Sequence, residues 1–156
     1  MNTIKIEDGD VADIISAGGI PYYYEGDTVY VFLALHREYG YVIPKGRLRP
    51  EETPLEAAQR EIKEETGIIV SGLPYISLSS LSYLVSEQKK KVHLYGFCLE
   101  RSPAPESQEL SLDKDEKIEV GNWLRIDDAI QIAAHDTERN ALAELKSKLD
   151  EQHEDN

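Results

Sequence analysis

Gly46-Arg-Leu-Arg-Pro-Glu-Glu52-Thr-Pro-Leu-Glu-Ala-Ala-Gln-Arg60-Glu61-Ile62-Lys-Glu64-Glu65-Thr-Gly67-Ile68 reads as a loop that runs into an acidic helix. Thr53 is placed to cap that helix and Pro54 suits its first position. Glu56 stands three residues after Thr53, where a capping box needs an acid. Gly67 can end the helix in a left-handed conformation. Leu55, Ala58 and Ile62 recur at three- and four-residue spacing, which gives one apolar stripe that packs on a sheet.

The remaining faces carry the chemistry. At about 100° per residue, Glu64 lies roughly 60° to one side of Glu61 and Glu65 roughly 40° to the other, so the three are expected to converge on one face. Such a cluster repels itself and raises carboxylate pKa values unless a cation relieves it. Carboxylate oxygens are hard ligands that suit Mg²⁺, with Mn²⁺ as a substitute, shared with substrate phosphate oxygens. A metal held there would neutralise diphosphate charge and lower the pKa of a water, as phosphoanhydride hydrolysis requires. Arg60, four residues from both Glu56 and Glu64, can pair with either. A solvated acidic helix is the plain alternative for the three acids taken alone.

Outward from this stretch, Ile14 to Tyr24 and Thr28 to His36 read as a β-hairpin turning at Glu25-Gly26-Asp27. Tyr41-Val-Ile-Pro44 reads as a short strand, followed by a loop over Lys45 to Glu52. Ile76 to Val85 and Lys91 to Glu100 read as two strands joined through Ser86 to Lys90, with Lys89, Lys90 and Lys91 at a solvated tip. Residues 101 to 117 read as a long loop, and Val120 to Ile126 as a last strand carrying Trp123. Helical regions follow from Asp127 through Ala134 and from Thr137 to about Asp150, then a frayed tail from Glu151 to Asn156. The mixed order of strands and helices predicts an α/β or α+β sandwich.

The 156 residues are 40% hydrophobic and 30% charged, enough for one compact core and too ordered in composition for a disordered or fibrous chain. A net charge of −13 argues against a large nucleic-acid face but leaves room for a small anionic ligand. Cys98, the only cysteine, rules out an intrachain disulfide and sits in a strand-like run. No stretch has signal-peptide or bilayer-spanning character, so a cytoplasmic protein without membrane contacts is expected.

Gly46, Glu52, Arg60, Glu61, Ile62, Glu64, Glu65, Gly67 and Ile68 together resemble the Nudix box, Gly-x5-Glu-x7-Arg-Glu-U-x-Glu-Glu-x-Gly-U with U aliphatic. Every specified position matches, which chance would produce on the order of once in a million chains of this length. Ser16-Ala-Gly-Gly-Ile20, Tyr41-Val-Ile-Pro-Lys-Gly46 and Trp123-Leu-Arg-Ile-Asp-Asp-Ala129 extend the resemblance over most of the chain. It implies one Nudix domain over residues 1–156, an α/β/α sandwich around a mixed β-sheet. It also implies hydrolysis of a nucleoside diphosphate linked to another moiety. By the same resemblance Glu61, Glu64 and Glu65 bind metal, Glu52 supports the site and Arg60 holds the glutamates in place. The family does not fix its general base, so Glu64 competes here with Glu116 and Glu119.

Pro44-Lys45-Gly46 resembles the segment before the box in enzymes acting on dinucleoside polyphosphates or diphosphoinositol phosphates. Lys45 is therefore a candidate phosphate contact, with Arg37 and Arg47 as further positive charge. Dinucleoside polyphosphates rank ahead of diphosphoinositol phosphates and nucleotide sugars as substrates, and a ligand-binding regulator without turnover is the alternative class. Tyr22 and Tyr24 share a strand face and can stack on a base or pack within the sheet. His36, His93, His135 and His153 show no ligand spacing, and Trp123 reads as a core anchor.

Overall fold

The computed structural model describes residues 4–5, 12–100 and 118–154. The strands are β1 (Ile4–Lys5), β2 (Ile14–Glu25), β3 (Thr28–His36), β4 (Gly40–Val42), β5 (Lys45–Arg47), β6 (Tyr75–Ser77), β7 (Leu81–Val85), β8 (Gln88–Cys98) and β9 (Ile118–Arg125). The helices are α1 (Pro54–Thr66), α2 (Ile126–Ile132) and α3 (Asp136–Glu154). The strands form one mixed sheet in the order β1-β7-β8-β2-β3-β4, with β5 on β2, β6 on β8 and β9 on β3. β2 and β8 run parallel over Ile14–Tyr22, and the other pairs are antiparallel.

Period-2 alternation divides the core into two layers. Ile20, Tyr22, Val31, Leu33, Val92 and Leu94 face α2 and α3, meeting Ala129, Leu142, Leu145 and Leu149. Ala17, Phe32 and Phe97 point the other way and meet Ala57, Ala58 and Ile62 of α1. Both faces of the central strands are therefore covered, and residues 16–23 of β2 are buried throughout. The result is the α/β/α sandwich around a mixed sheet that the sequence predicts. Tyr22 and Tyr23 pack inside it, at 4% and 7% exposure, while Tyr24 is half exposed and meets the Tyr22 ring edge-on. Trp123 packs edge-on against Tyr23 and Phe32 as a core anchor.

Helix α1 has the ends the sequence specifies. The Glu56 N–H donates to Thr53 Oγ1 at 3.1 Å, the Thr53 N–H donates to Glu56 Oε1 at 3.0 Å, and Gly67 closes the helix at φ 78°. Elsewhere the boundaries shift. Residues 76–85 are not one strand, because Ser79 turns its N–H and hydroxyl to the Glu144 carboxylate of α3 and interrupts the ladder between β6 and β7. The first three residues of the expected loop 45–52 pair with β2 as β5. Lys89, Lys90 and Lys91 belong to β8 and are partly buried; the tip is Ser86-Glu87, both at positive φ. Helix α3 continues through Glu151 to Glu154, into the stretch read as a tail, carried by the buried Leu145 and Leu149 stripe and residues of good helix propensity. Residues 101–117 and 155–156, including Glu116, lie outside the described residues.

Candidate active site

Strand β5 is where loop and helix meet. It pairs with β2 as Ser16 to Arg47, Ala17 to Gly46 and Gly18 to Lys45, so Gly46 faces α1 while Lys45 and Arg47 face the opposite layer. A Cβ on Gly46 would fall 2.3 Å from the Glu61 carboxylate carbon, so only glycine lets the carboxylate lie against the strand. A Cβ on Gly18 would meet the Pro44 carbonyl oxygen at 2.0 Å, which makes that glycine equally necessary where β2 passes the Pro44-Lys45 turn.

Arg60 is the hub of the acidic side. Its Nε and NH2 donate to Glu52 Oε2 and Oε1 at 2.7 and 2.8 Å, a bidentate pair. Its NH1 donates to Glu61 Oε1 at 2.6 Å and to Glu64 Oε2 at 3.1 Å, and its NH2 also reaches the Arg47 carbonyl at 3.0 Å. Glu56 is not a partner in this network; it serves the capping box. Arg49 adds a second grip, its N–H on Glu52 Oε1 at 2.9 Å and its guanidinium on Glu64 Oε1 at 3.1 Å. Glu65 Oε2 accepts from the Lys45 N–H at 3.1 Å. The Arg60 guanidinium holds the Glu52 carboxyl well below the usual carboxylate range, at about 2, and the same pairing raises the Arg60 pKa.

Of the three acids expected on one face, Glu61 and Glu64 both meet Arg60, while Glu65 meets the Lys45 N–H. Among the described residues no three His, Cys, Asp or Glu side chains are grouped so as to hold a metal ion. The Arg60 guanidinium, within hydrogen-bond reach of Glu52, Glu61 and Glu64, relieves carboxylate repulsion as a divalent ion would. The donor chemistry still fits Mg²⁺, since Glu52, Glu61, Glu64 and Glu65 offer oxygen alone and Gly46 keeps the strand clear of Glu61.

Across β5 lies a group of opposite sign. Lys90 on β8 has its pKa lowered by burial and by the positive charges of Lys45 and Arg47, and its ammonium sits 6.0 Å from the centroid of the Tyr83 ring. Arg37 is in the turn between β3 and β4, which also carries a ring pair: His36 and Tyr39 stack at 4.5 Å, with His135 5.6 Å from Tyr39. Glu119 lies on β9 opposite Leu35, on a different element from the box. Arg49, Lys90, Tyr39 and His135 carry no assigned role in the sequence reading. Arg49 occupies an unspecified position of the box. Lys90 shares strand parity with Val92 and Leu94, a signal that becomes legible once β8 is known to begin at Gln88.

The NUDIX domain family model matches residues 16–145. This chain belongs to the Nudix family. It is a phosphoanhydride hydrolase by that membership. The mouse asymmetrical bis(5'-nucleosyl)-tetraphosphatase is 33% identical over 113 residues, covering 71% of this chain and 68% of that protein. Among solved structures, a binary complex of the C. elegans Ap4A hydrolase superposes with a TM-score of 0.67 at 23% identity, covering 87% of this chain and 97% of that one. The NUDIX domain of Shewanella oneidensis NrtR, complexed with ADP ribose, gives a TM-score of 0.70 at 11% identity with 90% of each chain covered. Both structural likenesses concern the Nudix fold. No helix among the described residues is long and apolar enough to cross a membrane.

Proposed function

We propose that this Nudix protein hydrolyses a phosphoanhydride bond in a nucleoside diphosphate linked to another moiety, with a dinucleoside polyphosphate as its substrate. One observation carries the reading: an acid cluster around Arg60 and a basic group of Lys45, Arg47 and Lys90 flank the same three-residue strand. Consecutive Cα atoms are about 3.8 Å apart, so Lys45 and Arg47 lie within about 7 Å along β5. A polyphosphate at this strand meets cations on one side and hydrolytic acids on the other. The mouse relative named for tetraphosphatase activity supports the choice of substrate class.

In this reading Glu61, Glu64 and Glu65 hold Mg²⁺, which when bound neutralises phosphate charge and lowers the pKa of a water. The side chains of Glu61 and Glu64 are 14% and 21% exposed, enough for their carboxylates to rotate from Arg60 toward an ion. Arg60 and Glu52 form the brace from which they rotate, and Glu64 accepts the proton of the attacking water, ahead of Glu116 and Glu119. Lys45 and Lys90 bind phosphate oxygens. Arg37 adds charge beside the His36 and Tyr39 rings, where half-exposed Tyr39 offers a nucleobase a stacking surface. Diphosphoinositol phosphates and nucleotide sugars are the competing substrates.

The test is a turnover panel of diadenosine tetraphosphate, a nucleotide sugar and a diphosphoinositol phosphate across a Mg²⁺ series. Magnesium-dependent release of nucleotide from diadenosine tetraphosphate is expected to be fastest. Faster Mg²⁺-dependent turnover of the nucleotide sugar or the diphosphoinositol phosphate would overturn the choice of substrate.

A further inference from the structure

Two carboxylates from two helices grip one short segment. On the α1 side the Lys45 N–H donates to Glu65 Oε2 at 3.1 Å, and on the α3 side the Ile43 N–H donates to Glu138 Oε2 at 2.6 Å. Between them the Pro44 carbonyl accepts from the Gly19 N–H at 3.1 Å, and just before them the Tyr41 carbonyl accepts from the Ala134 N–H at 2.8 Å. Glu138 is 3% exposed and is the one charged residue among the described residues to be fully buried. Its second oxygen, Oε1, meets His135 Nδ1 at 2.5 Å. Burying a carboxylate is costly unless its hydrogen bonds are made, and a leucine would fill the same space in the core. The carboxylate is therefore kept for what it holds.

What it holds leads straight to the basic group. Ile43 is two residues from Lys45, about 7 Å of chain. Pro44 between them fixes its own φ, so a shift at Ile43 is poorly absorbed before Lys45. Gly18 presses on the far side, since a Cβ there would lie 2.5 Å from Lys45 Cβ. Glu138 also acts on the ring beneath the second cation. Its charge acts on Tyr83, whose hydroxyl pKa is raised chiefly by burial and whose ring lies beneath Lys90.

We propose that Glu138 is a positioning residue for substrate phosphate, acting through Ile43 and Pro44 on Lys45. The proposal rests on the reading in which Lys45 contacts phosphate. A purely structural Glu138 would lower stability without regard to Lys45, whereas a positioning Glu138 loses its effect once the Lys45 side chain is gone.

The experiment is a double-mutant cycle of Glu138→Ala and Lys45→Ala, read by KM and kcat for diadenosine tetraphosphate and by calorimetric Kd for ADP. Glu138→Ala is expected to raise KM and Kd about tenfold, as for a lost hydrogen bond to a charged group, with kcat within about twofold. In the Lys45→Ala background it should change them less than about twofold. Glu138→Gln should recover the parent values, because its amide oxygen can still accept from the Ile43 N–H. Glu138→Asp keeps the charge but is one methylene too short, so it should resemble Glu138→Ala and decides the matter if the alanine variant does not fold. Equal effects of Glu138→Ala with and without Lys45, or Glu138→Asp at parent KM and Kd, would overturn the proposal. A parent that binds ADP but turns nothing over sinks the hydrolase reading alone, since the Kd cycle still reads the coupling. A parent that neither binds ADP nor turns over diadenosine tetraphosphate overturns both.

Discussion

The two sides of β5 handle charge in opposite ways. Toward α1, Arg60 sits among Glu52, Glu61 and Glu64, and every contact is between unlike charges at 2.6 to 3.1 Å. Toward α3, burial and then the like charges of Lys45 and Arg47 lower the Lys90 pKa. The first arrangement is self-compensating and contributes to folding. The second costs free energy in the folded chain and would regain it on the phosphate proposed to bind there. Function is therefore expected to depend on both sides, and stability mainly on the first.

Glu64→Gln offers the strongest attempt to break that contrast. The amide keeps volume and helix propensity but removes the charge needed to hold Mg²⁺ and accept a proton, so turnover should fall about a hundredfold or more with the fold intact. Near-parental turnover at saturating Mg²⁺ would remove Glu64 from the chemistry and turn attention to Glu119 and Glu116. Arg60→Ala comes next. It leaves three partly buried carboxylates facing one another, which should cost about 2 kcal/mol, or about 5 °C in Tm for a chain of this size, and lower turnover about tenfold or more. Added Mg²⁺ should restore part of the lost Tm, because a cation replaces the guanidinium. A Tm deficit untouched by Mg²⁺ would mean that the acids do not share an ion.

Much of the self-compensating side was legible in the sequence. Thr53, Glu56 and Gly67 mark the helix ends by local chemistry, and the spacing of Glu52, Arg60, Glu61 and Glu64 needs one helix and one loop to be read. What did not follow is which partner each acid takes. Helical geometry places Glu61, Glu64 and Glu65 on one face, but the Lys45 N–H, from a strand read as loop, draws Glu65 away. The basic side was hardly legible. Lys90 joins Lys45 and Arg47 only through the parallel register of β2 with β8, a pairing of residues more than seventy positions apart. Glu138 and His135 were equally hidden: an acid on an acidic helix gives no sign that it is buried until tertiary packing brings Ile43 to it.

The basic side is sharpened by Lys90→Ala. Removing one of three like charges should raise KM about fivefold to tenfold for a polyphosphate, leave kcat within about twofold, and reduce the salt dependence of kcat/KM. Because the removed charge is repelled in the folded state, Tm should hold steady or rise slightly. Tm and KM measured on the same preparation separate these expectations. A loss of several degrees with unchanged KM would make Lys90 a structural residue and leave Lys45 and Arg47 to bind phosphate.

The smallest effect concerns Glu52 and pH, and it tests the self-compensating side without substrate or metal. Pairing with Arg60 depresses the Glu52 pKa from 4.5 to about 2 in the folded chain. A carboxyl depressed on folding contributes stability that is fully present above its unfolded pKa and is lost as pH falls through its folded value. The Glu52 contribution should therefore stay constant from neutrality down to about pH 4.5, decline between there and about pH 2, and vanish below. Other carboxyls titrate over the same range, so the parent curve alone cannot isolate it. The difference between parent and Glu52→Gln can, since glutamine keeps an oxygen for Arg60 but has no proton to gain. Denaturant melts of both chains at successive pH values would give that difference directly. It should be flat above pH 4.5 and shrink steadily toward pH 2. A difference that stays flat down to pH 2 would mean that Glu52 titrates like an unpaired carboxyl, and that Arg60 holds Glu61 and Glu64 instead.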